Sequence, residues 1–334
     1  MTYTTEGEAV FFTEYRDADY ESFVTCFNKF HQGRYAYAEY LEKDFLHEKT
    51  ASGDLLLTVG KLVDGTVVSV SAAERKDDEF AGIAELFMRC VSPAYQGRHV
   101  GTAHEQYLLE RIPVHFPDAL SLQADAVTYD IKSQTTLVHN GFYCCGLCPM
   151  KYESAQTLPA LSAAPGTRMT FAIYCKPQCD SVVTVFPPPE HTAMILKIYA
   201  RMKLRAKLCN YTQMPPTATV YRIVRYAEHR TADLYIKTPG NDGAPELFAE
   251  LDELLANGYT VTGYINLSHP GCVGMYRRLQ ETGFYFTGVR PLSKIGQYLV
   301  AAQTQNSLCG FETVFLPESE QPLLDYIIEN GGSK

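Results

Sequence analysis

The chain contains no tryptophan, no long apolar run and no excess of basic residues. Lys and Arg number 29 against 38 Asp and Glu, which gives a formal net charge of −9. Nucleic-acid binding selects for basic faces, so this balance argues against a nucleic-acid partner. No apolar stretch approaches the roughly 20 residues that a membrane helix needs, so no membrane partner is expected.

Segment 1–8 has neither a basic region nor an apolar region, so no signal peptide is expected. Ten cysteines without an export signal fit a reducing compartment in which the thiols stay free. We therefore expect a cytoplasmic protein.

An internal repeat is the strongest positive feature of the sequence. Five residues recur at one offset of 142 positions (283 − 141), namely Gly141-Phe142-Tyr143, Gly146 and Pro149 as Gly283-Phe284-Tyr285, Gly288 and Pro291. Self-similarity at a fixed offset marks a duplicated domain, and 334 residues is an ordinary length for two domains. We expect an N-terminal domain over 1–180 and a C-terminal domain over 181–334.

Hydrophobic periodicity predicts strands that alternate with helices in both halves. A hairpin is expected around Asp64-Gly65, and helices are expected over 37–46, 100–112, 131–139, 190–208, 245–256 and 273–281. Such alternation indicates a mixed α/β sheet. The expected fold class is α/β of the α+β type, with a largely antiparallel central sheet flanked by helices in each half.

The stretch 84–102 reads as a strand, a short loop with two glycines and the start of a helix. Such a turn points backbone N–H groups at whatever lies above the helix N-terminus, where the helix dipole adds positive charge. A pyrophosphate suits this position, and Arg98 adds a further charge. The alternative is a tight strand–helix connection that binds nothing.

Gln96, Arg98, Val100 and Gly101, preceded by Val91, Pro93 and Tyr95, resemble the acyl-coenzyme A signature of the GNAT N-acetyltransferase superfamily. That signature is Gln/Arg-x-x-Gly-x-Gly/Ala after a strand and a turn that contains proline. A helix that runs into Gly141-Phe142 matches a second element of the family. The resemblance covers most of 10–175 and, more weakly through the repeat, 183–302. It implies two tandem GNAT-like domains.

The resemblance also implies roles for particular residues. Cys90 and Val91 would pair with the pantetheine amides of acetyl-coenzyme A. Backbone groups of the segment that follows Gln96 would hold the pyrophosphate, namely Gly97, Arg98, His99, Val100, Gly101 and Thr102. Glu85 would be the general base that deprotonates an incoming ammonium, and a raised pKa would suit that role. The alternative for Glu85 is a salt-bridged strand residue.

Two positions depart from the family pattern. His99 replaces the first glycine of the signature, and histidine tolerates a positive φ at some cost. Leu137 stands where many members have the tyrosine that protonates the departing thiolate. His139 and Tyr143 are nearby candidates for that proton donor, although a structural role is the alternative for each.

The second copy has lost the signature. At the same offset, 96–101 falls on Thr238-Pro239-Gly240-Asn241-Asp242-Gly243. Asp242 would oppose a pyrophosphate by its charge, and Pro239 lacks a backbone donor. We therefore expect one coenzyme site, in the N-terminal half.

The predicted function is transfer of an acetyl or other short acyl group from acyl-coenzyme A to a primary amine, by direct attack in a ternary complex. A non-catalytic acyl-coenzyme A-binding or partner-binding regulatory module is the alternative, and a thiol-dependent enzyme is a third possibility. Cys144, Cys145 and Cys148 have a spacing that zinc or redox sites use. Their equivalents in the repeat are not cysteines but Phe286, Thr287 and Arg290. We therefore expect buried thiols and no metal. The chain is expected to be a monomer with an internal pseudo-dimer, or a homodimer. The sequence does not identify the amine acceptor.

Overall fold

A computed structural model describes residues 1–5, 7–31, 35, 37–76, 79–129, 131–153, 168–210, 217–304, 311 and 313–332. The first half contains strands β1 (Thr2–Thr5), β2 (Glu8–Glu14), β3 (Leu55–Lys61), β4 (Val67–Arg75), β5 (Ile83–Val91), β6 (Ser121–Val127), β7 (Tyr143–Glu153) and β8 (Arg168–Pro177). Its helices are α1 (Tyr20–His31), α2 (Lys43–Ser52), α3 (Val100–His115) and α4 (Ile131–His139).

The second half contains β9 (Val182–Val185), β10 (Arg205–Leu208), β11 (Val220–Tyr226), β12 (Thr231–Thr238), β13 (Thr260–Asn266), β14 (Tyr285–Arg290) and β15 (Tyr298–Gln303). Its helices are α5 (Thr192–Arg201), α6 (Pro245–Ala256), α7 (Cys272–Glu281) and α8 (Gln321–Ile327). Helices α4 and α6 have the predicted bounds, and β3 and β4 form the predicted antiparallel hairpin.

Two helix predictions are wrong in extent. The segment 37–46 divides into a 3-10 turn, Ala38–Leu41, and the start of α2, because Glu42 between them has an extended backbone. The predicted helix over 190–208 ends as α5 at Arg201, and the chain continues as β10. Strand β10 pairs in parallel with β9 in a small second sheet, a contact that helical periodicity does not reveal.

Thirteen strands form one continuous sheet in the order β1-β2-β3-β4-β5-β6-β8-β7-β14-β15-β13-β12-β11. Most neighbours are antiparallel, and β5–β6 and β12–β13 are the parallel pairs in this sheet. The described part of the chain therefore has the expected fold class, a mixed and largely antiparallel sheet with flanking helices. One apolar core runs across both halves and includes Leu108 and Phe142 with Leu251 and Phe284.

The two halves meet where Gly146 of β7 pairs with Gly288 of β14. These glycines are equivalents in the repeat, so each half presents the same residue to the other, as in a twofold dimer. A Cβ on Gly288 would lie 2.3 Å from the Gly146 Cα, so only glycine permits this approach of the two backbones. The repeated glycine therefore builds the junction of the sheet.

Among the described residues, no helix is long and apolar enough to cross a membrane.

Candidate functional site

Strands β5 and β6 form a fork in the first half. They pair in parallel from Ile83–Ser121 to Glu85–Gln123. The pairing stops there, although β5 continues to Val91 and β6 to Val127, and the structure describes every residue of both strands. We call Glu85 and Gln123 the apex of the fork, and we call the two unpaired strand ends its arms. Separated parallel strands expose backbone groups that a ligand can pair with.

A β-bulge interrupts the β5 arm. On β4, Val70 and Ala72 are two residues apart, but their partners on β5, Cys90 and Phe87, are three apart. Met88 absorbs the extra residue with a φ of 52°. Bulges re-aim side chains and disrupt the regular ladder, and they are common beside functional sites. The predicted strand-end residues Cys90 and Val91 lie directly after this bulge, with Cys90 buried and Val91 half-buried.

The loop from Ser92 to His99 leads from the β5 arm into α3. Its backbone turns through Gly97, with φ 77°, and His99, with φ 59°. The positive φ considered for His99 is therefore present, and this residue caps the helix from the left-handed region. The first i to i−4 bond of α3 runs from the Ala103 N–H to the His99 carbonyl, so the preceding amides point out of the helix end.

Residues of this loop contact the β5 arm, each other and β1. Gln96 Nε2 donates to the Val91 carbonyl at 3.1 Å, and the Arg98 guanidinium lies 5.2 Å from the centre of the Tyr95 ring. Tyr3 of β1 donates to the Arg98 carbonyl at 3.0 Å. A Cβ on Gly101 would lie 3.2 Å from Val91 Cγ2, so glycine lets α3 pack closely on the β5 arm.

Glu85 lies in an ion-pair network at the apex. Its Oε2 is 2.8 Å from Lys76 Nζ, and its Oε1 is 3.8 Å from a terminal nitrogen of Arg290. Lys76 also pairs with Glu74 at 3.1 Å. Burial raises the pKa of Glu85, but Lys76 and then Arg290 lower it further, to about 2. The raised pKa expected for a general base is therefore wrong for this structure, and the salt-bridged alternative describes Glu85 as it stands.

Arg290 comes from the second half and is almost completely buried. Its Nε donates to Gln123 Oε1 at 2.8 Å, and a terminal nitrogen donates to Asp125 Oδ1 at 2.8 Å. In the sequence, Arg290 stands out only as the repeat equivalent of Cys148, and Lys76 and Asp125 do not stand out at all. No local motif marks them, because the network joins side chains from β6, β14 and the end of β4.

Aromatic side chains line the same side of β5 as Glu85. The Tyr40 ring is 4.8 Å from Phe87, and the Tyr40 hydroxyl donates to Glu74 Oε1 at 2.8 Å. Tyr37 and Tyr152 share a hydroxyl–hydroxyl hydrogen bond of 2.9 Å. Residues 32–34 and 36 of the tyrosine-rich segment before α2 lie outside the described residues.

The candidates for a thiolate-protonating acid are not brought together with the fork. Leu137 is fully buried in the core. His139 is exposed at the end of α4, and Tyr143 packs against Arg201 of α5, whose guanidinium is 5.8 Å from the ring centre. Tyr129, which follows the β6 arm, has a buried hydroxyl without a hydrogen-bond partner among the described residues.

The described residues of the second half form no comparable fork. Strands β12 and β13 pair without interruption from Thr231–Thr260 to Ile236–Ile265. Asn266 Nδ2 then donates to the Lys237 carbonyl at 2.9 Å and ties the strand ends together. A Cβ on Gly271 would lie 2.3 Å from the Pro239 carbonyl oxygen, so the start of α7 also closes on the end of β12.

The offset of 142 does not hold across the whole repeat. In the first half, successive cross-strand partners lead from Tyr143 through Cys175 and Gln123 to Glu85. In the second half, the same path leads from Tyr285 through Ala302 and Thr262 to Asp233. Asp233 is therefore the counterpart of Glu85 in the sheet, at an offset of 148 (233 − 85). It pairs with Lys151 Nζ at 3.1 Å.

Asp242 also differs from its expected setting. It accepts hydrogen bonds from the Thr219 N–H at 2.8 Å, from the Thr219 hydroxyl at 2.7 Å and from the Ala244 N–H at 3.2 Å. This carboxylate therefore occupies one donor of its own loop and two of Thr219, which directly precedes β11. It remains a negative charge near the start of α6, where an anion would be repelled.

The cysteines considered for a metal or redox site are buried in the core. Burial raises the pKa of the Cys148 thiol to about 11 and that of Cys175 to about 12, and it raises the pKa values of Cys144 and Cys145 as well. The nine cysteines among the described residues are free. Such thiols behave as small apolar side chains.

No protein-family model matches the chain, and no curated protein sequence matches it either. Solved structures of GNAT-family N-acetyltransferases are similar to about half of it. An acetyltransferase of the GNAT family from Streptococcus pneumoniae is 14% identical, with a TM-score of 0.41, over 50% of this chain and 98% of its own. A ribosomal-protein-S5-alanine acetyltransferase from Vibrio fischeri is 12% identical, with a TM-score of 0.41, over 54% of this chain and 98% of its own.

An N-acetyltransferase from Staphylococcus aureus Mu50 is 11% identical, with a TM-score of 0.40, over 50% of this chain and 98% of its own. Each of these three proteins matches about half of this chain and leaves the other half unmatched.

Proposed function

We propose that this protein is an acyl-coenzyme A-dependent N-acetyltransferase whose one coenzyme site is the fork of the first half. The observation that carries the proposal is the combination of the open fork, the bulge on its β5 arm and the glycine-containing loop at the start of α3. Pantetheine amides would pair along the arms. The pyrophosphate would lie at the amides of Gly97 to Thr102, where the helix dipole and Arg98 favour an anion.

The reaction would be direct attack of a primary amine on the thioester carbonyl. The nitrogen–carbon bond forms as the carbon–sulfur bond breaks, the amine loses a proton, and coenzyme A leaves as a thiolate that must be protonated. Backbone groups near the bulge, Met88 to Cys90, would polarise the carbonyl oxygen. No cysteine acts as the nucleophile, which agrees with the burial of the core thiols.

Glu85 would hold the acceptor ammonium and take its proton. With a pKa of about 2, it is ionised throughout the physiological pH range, which suits it to bind a cation. The acceptor ammonium would take the place of Lys76, so Glu85 keeps a cationic partner until the amine gives up its proton, and its pKa rises as that charge is lost. The acceptor nitrogen and Lys76 Nζ would therefore compete for the same oxygen.

Coenzyme binding is tested by thermal unfolding of the full chain with and without acetyl-coenzyme A. Saturation at about 100 times Kd adds about 2.7 kcal/mol of stability. Arg98→Glu together with Gly101→Asp should abolish the shift, and Arg98→Glu alone should reduce it without crowding Val91. Arg111→Glu, further along α3, is the matched control and should keep the full thermal shift. An unchanged shift in the double variant would show that this loop is not the site.

Catalysis is tested by thiol release with a broad panel of primary amines. Glu85→Gln should lower turnover by about a hundredfold, which is a typical loss for a general base, with coenzyme affinity nearly unchanged. A loss confined to coenzyme affinity would instead make Glu85 structural.

A non-catalytic acyl-coenzyme A-binding module is the second candidate. The ion pair of Glu85 with Lys76 and the absence of a tyrosine at 137 favour it. It would take the lead if acetyl-coenzyme A bound normally and no amine in the panel were acetylated.

A further inference from the structure

The second half covers the apex of the fork with the segment 290–294. Gln123 Nε2 donates to the Pro291 carbonyl at 2.7 Å, and the Ser121 hydroxyl donates to the Leu292 carbonyl at 3.4 Å. The Lys294 N–H donates to the Ala81 carbonyl at 2.6 Å, on the turn that leads into β5. The second half is thus tied to β6 at Ser121 and Gln123, and to β5 through the turn that leads into it.

Arg290 contacts both strands of the fork, at its apex and on the β6 arm. Its terminal nitrogen is 2.8 Å from Asp125 on β6 and 3.8 Å from Glu85 on β5, and its Nε bonds Gln123 between them. The side chain is 5% exposed, and the guanidinium lies 4.5 Å from the centre of the Phe80 ring. A planar guanidinium with several donors suits a bridge of this kind, and a lysine ammonium does not replace it.

We propose that the second half completes the active fork through Arg290, a positioning residue that holds Glu85, Gln123 and Asp125 in one arrangement across the two strands. The role of the fork in catalysis rests on the proposed function, but the effect of Arg290 on Glu85 does not. This gives the second half, whose described residues form no fork of their own, a task in the first. Because Arg290 reaches across the junction of the sheet, the first half alone would lack a part of its site.

The effect on Glu85 follows from the charges that face it. The titratable groups around it come from four elements and the segment before α2: Glu74 and the adjoining Lys76, Asp125, Lys151, Arg290, and the hydroxyls of Tyr35 and Tyr37. Loss of Arg290 removes a cation from both Glu85 and Asp125 and leaves the two carboxylates to repel each other. A cation within about 4–6 Å typically lowers a carboxylate pKa by about one to three pH units. Glu85 should therefore become harder to ionise.

The test uses the full chain without coenzyme, with ¹³C-labelled glutamate side chains followed by NMR against pH. Glu85→Gln identifies the Glu85 signal. In Arg290→Met the midpoint of Glu85 should rise by about one pH unit or more. The double variant Arg290→Met with Asp125→Asn removes both partners of the buried pair. It should therefore fold even if Arg290→Met alone does not, and the titration midpoint of its Glu85 should still rise. In Arg290→Lys the titration midpoint of Glu85 should return most of the way to its wild-type value.

Arg222→Met is the matched control, because Arg222 also joins the halves, through Glu79, without contact to the fork. It should leave the Glu85 midpoint in place. Acetyl-coenzyme A affinity should fall about tenfold in Arg290→Met and Arg290→Lys, since only the guanidinium bridges both strands of the fork, and it should be unchanged in Arg222→Met. Equal midpoints and equal affinities in Arg290→Met and wild type would overturn the proposal. Absence of turnover in wild type would refute the proposed function alone, since neither readout depends on turnover.

Discussion

The ion pair between Lys151 and Asp233 gives the sharpest test of how the halves depend on each other. Lys151 is on β7 of the first half and Asp233 on β12 of the second, with 3.1 Å between Nζ and Oδ2. Their side chains are 11% and 4% exposed. Burial lowers the pKa of Lys151 and Asp233 raises it, and the net result is a pKa well above the usual value. Lys151 is therefore charged at neutral pH, where it forms the ion pair with Asp233.

Lys151→Met removes one partner and leaves a buried carboxylate without its cation. At an effective dielectric constant of about 20, two charges 3.1 Å apart attract by about 5 kcal/mol, and the cost of burying them offsets part of this. Breaking a buried pair typically costs about 3–5 kcal/mol. We expect the free energy of unfolding to fall by about 3 kcal/mol in Lys151→Met, measured by urea unfolding followed by circular dichroism at pH 7.

The double variant Lys151→Met with Asp233→Asn should recover most of that loss, because no charge is then left buried. Arg225→Met is the control. Its partner is Glu250, and their side chains are 40% and 32% exposed, so the variant should change stability by less than about 1 kcal/mol. The reasoning is refuted if Lys151→Met costs less than about 1 kcal/mol, or if the two single losses simply add.

Three further predictions concern the fork and its loop. Calorimetric titration with acetyl-coenzyme A should give one site per chain, and a stoichiometry near two would refute the closed second half. Lys76→Met should raise the pKa of Glu85. A lowered carboxylate pKa stabilises the fold above the unfolded pKa, about 4.3, and that gain is lost as pH falls toward 2. Between pH 7 and 4, urea unfolding should therefore show a larger loss of stability in wild type than in the variant, and equal losses would contradict this. His99→Gly should raise stability by up to about 1 kcal/mol in thermal unfolding, since glycine adopts a φ of 59° without strain; a lower Tm would mean that the His99 side chain contributes contacts.

The sequence by itself determined the features that depend on neighbouring residues. The repeated glycines predicted the duplication, and the structure shows why Gly146 and Gly288 are needed, since their backbones meet at the junction. Periodicity and capping gave α4 and α6 their bounds, and the strand–loop–helix around Gly97 lies where it was predicted. Gly97, Gly101 and the start of α3 all lie within 84–102, so this prediction needed no distant partner.

Tertiary structure decided everything that depends on partners distant in the sequence. A constant offset of 142 placed Asp242 opposite the proposed coenzyme loop, yet strand pairing makes Asp233 the counterpart of Glu85, because insertions shift the offset between elements. The pKa of Glu85 depends on Lys76 and on Arg290, which is 205 positions away (290 − 85). A sequence pattern states which side chains are present, but a carboxylate's charge state depends on which cations the folded sheet brings within a few ångströms of it.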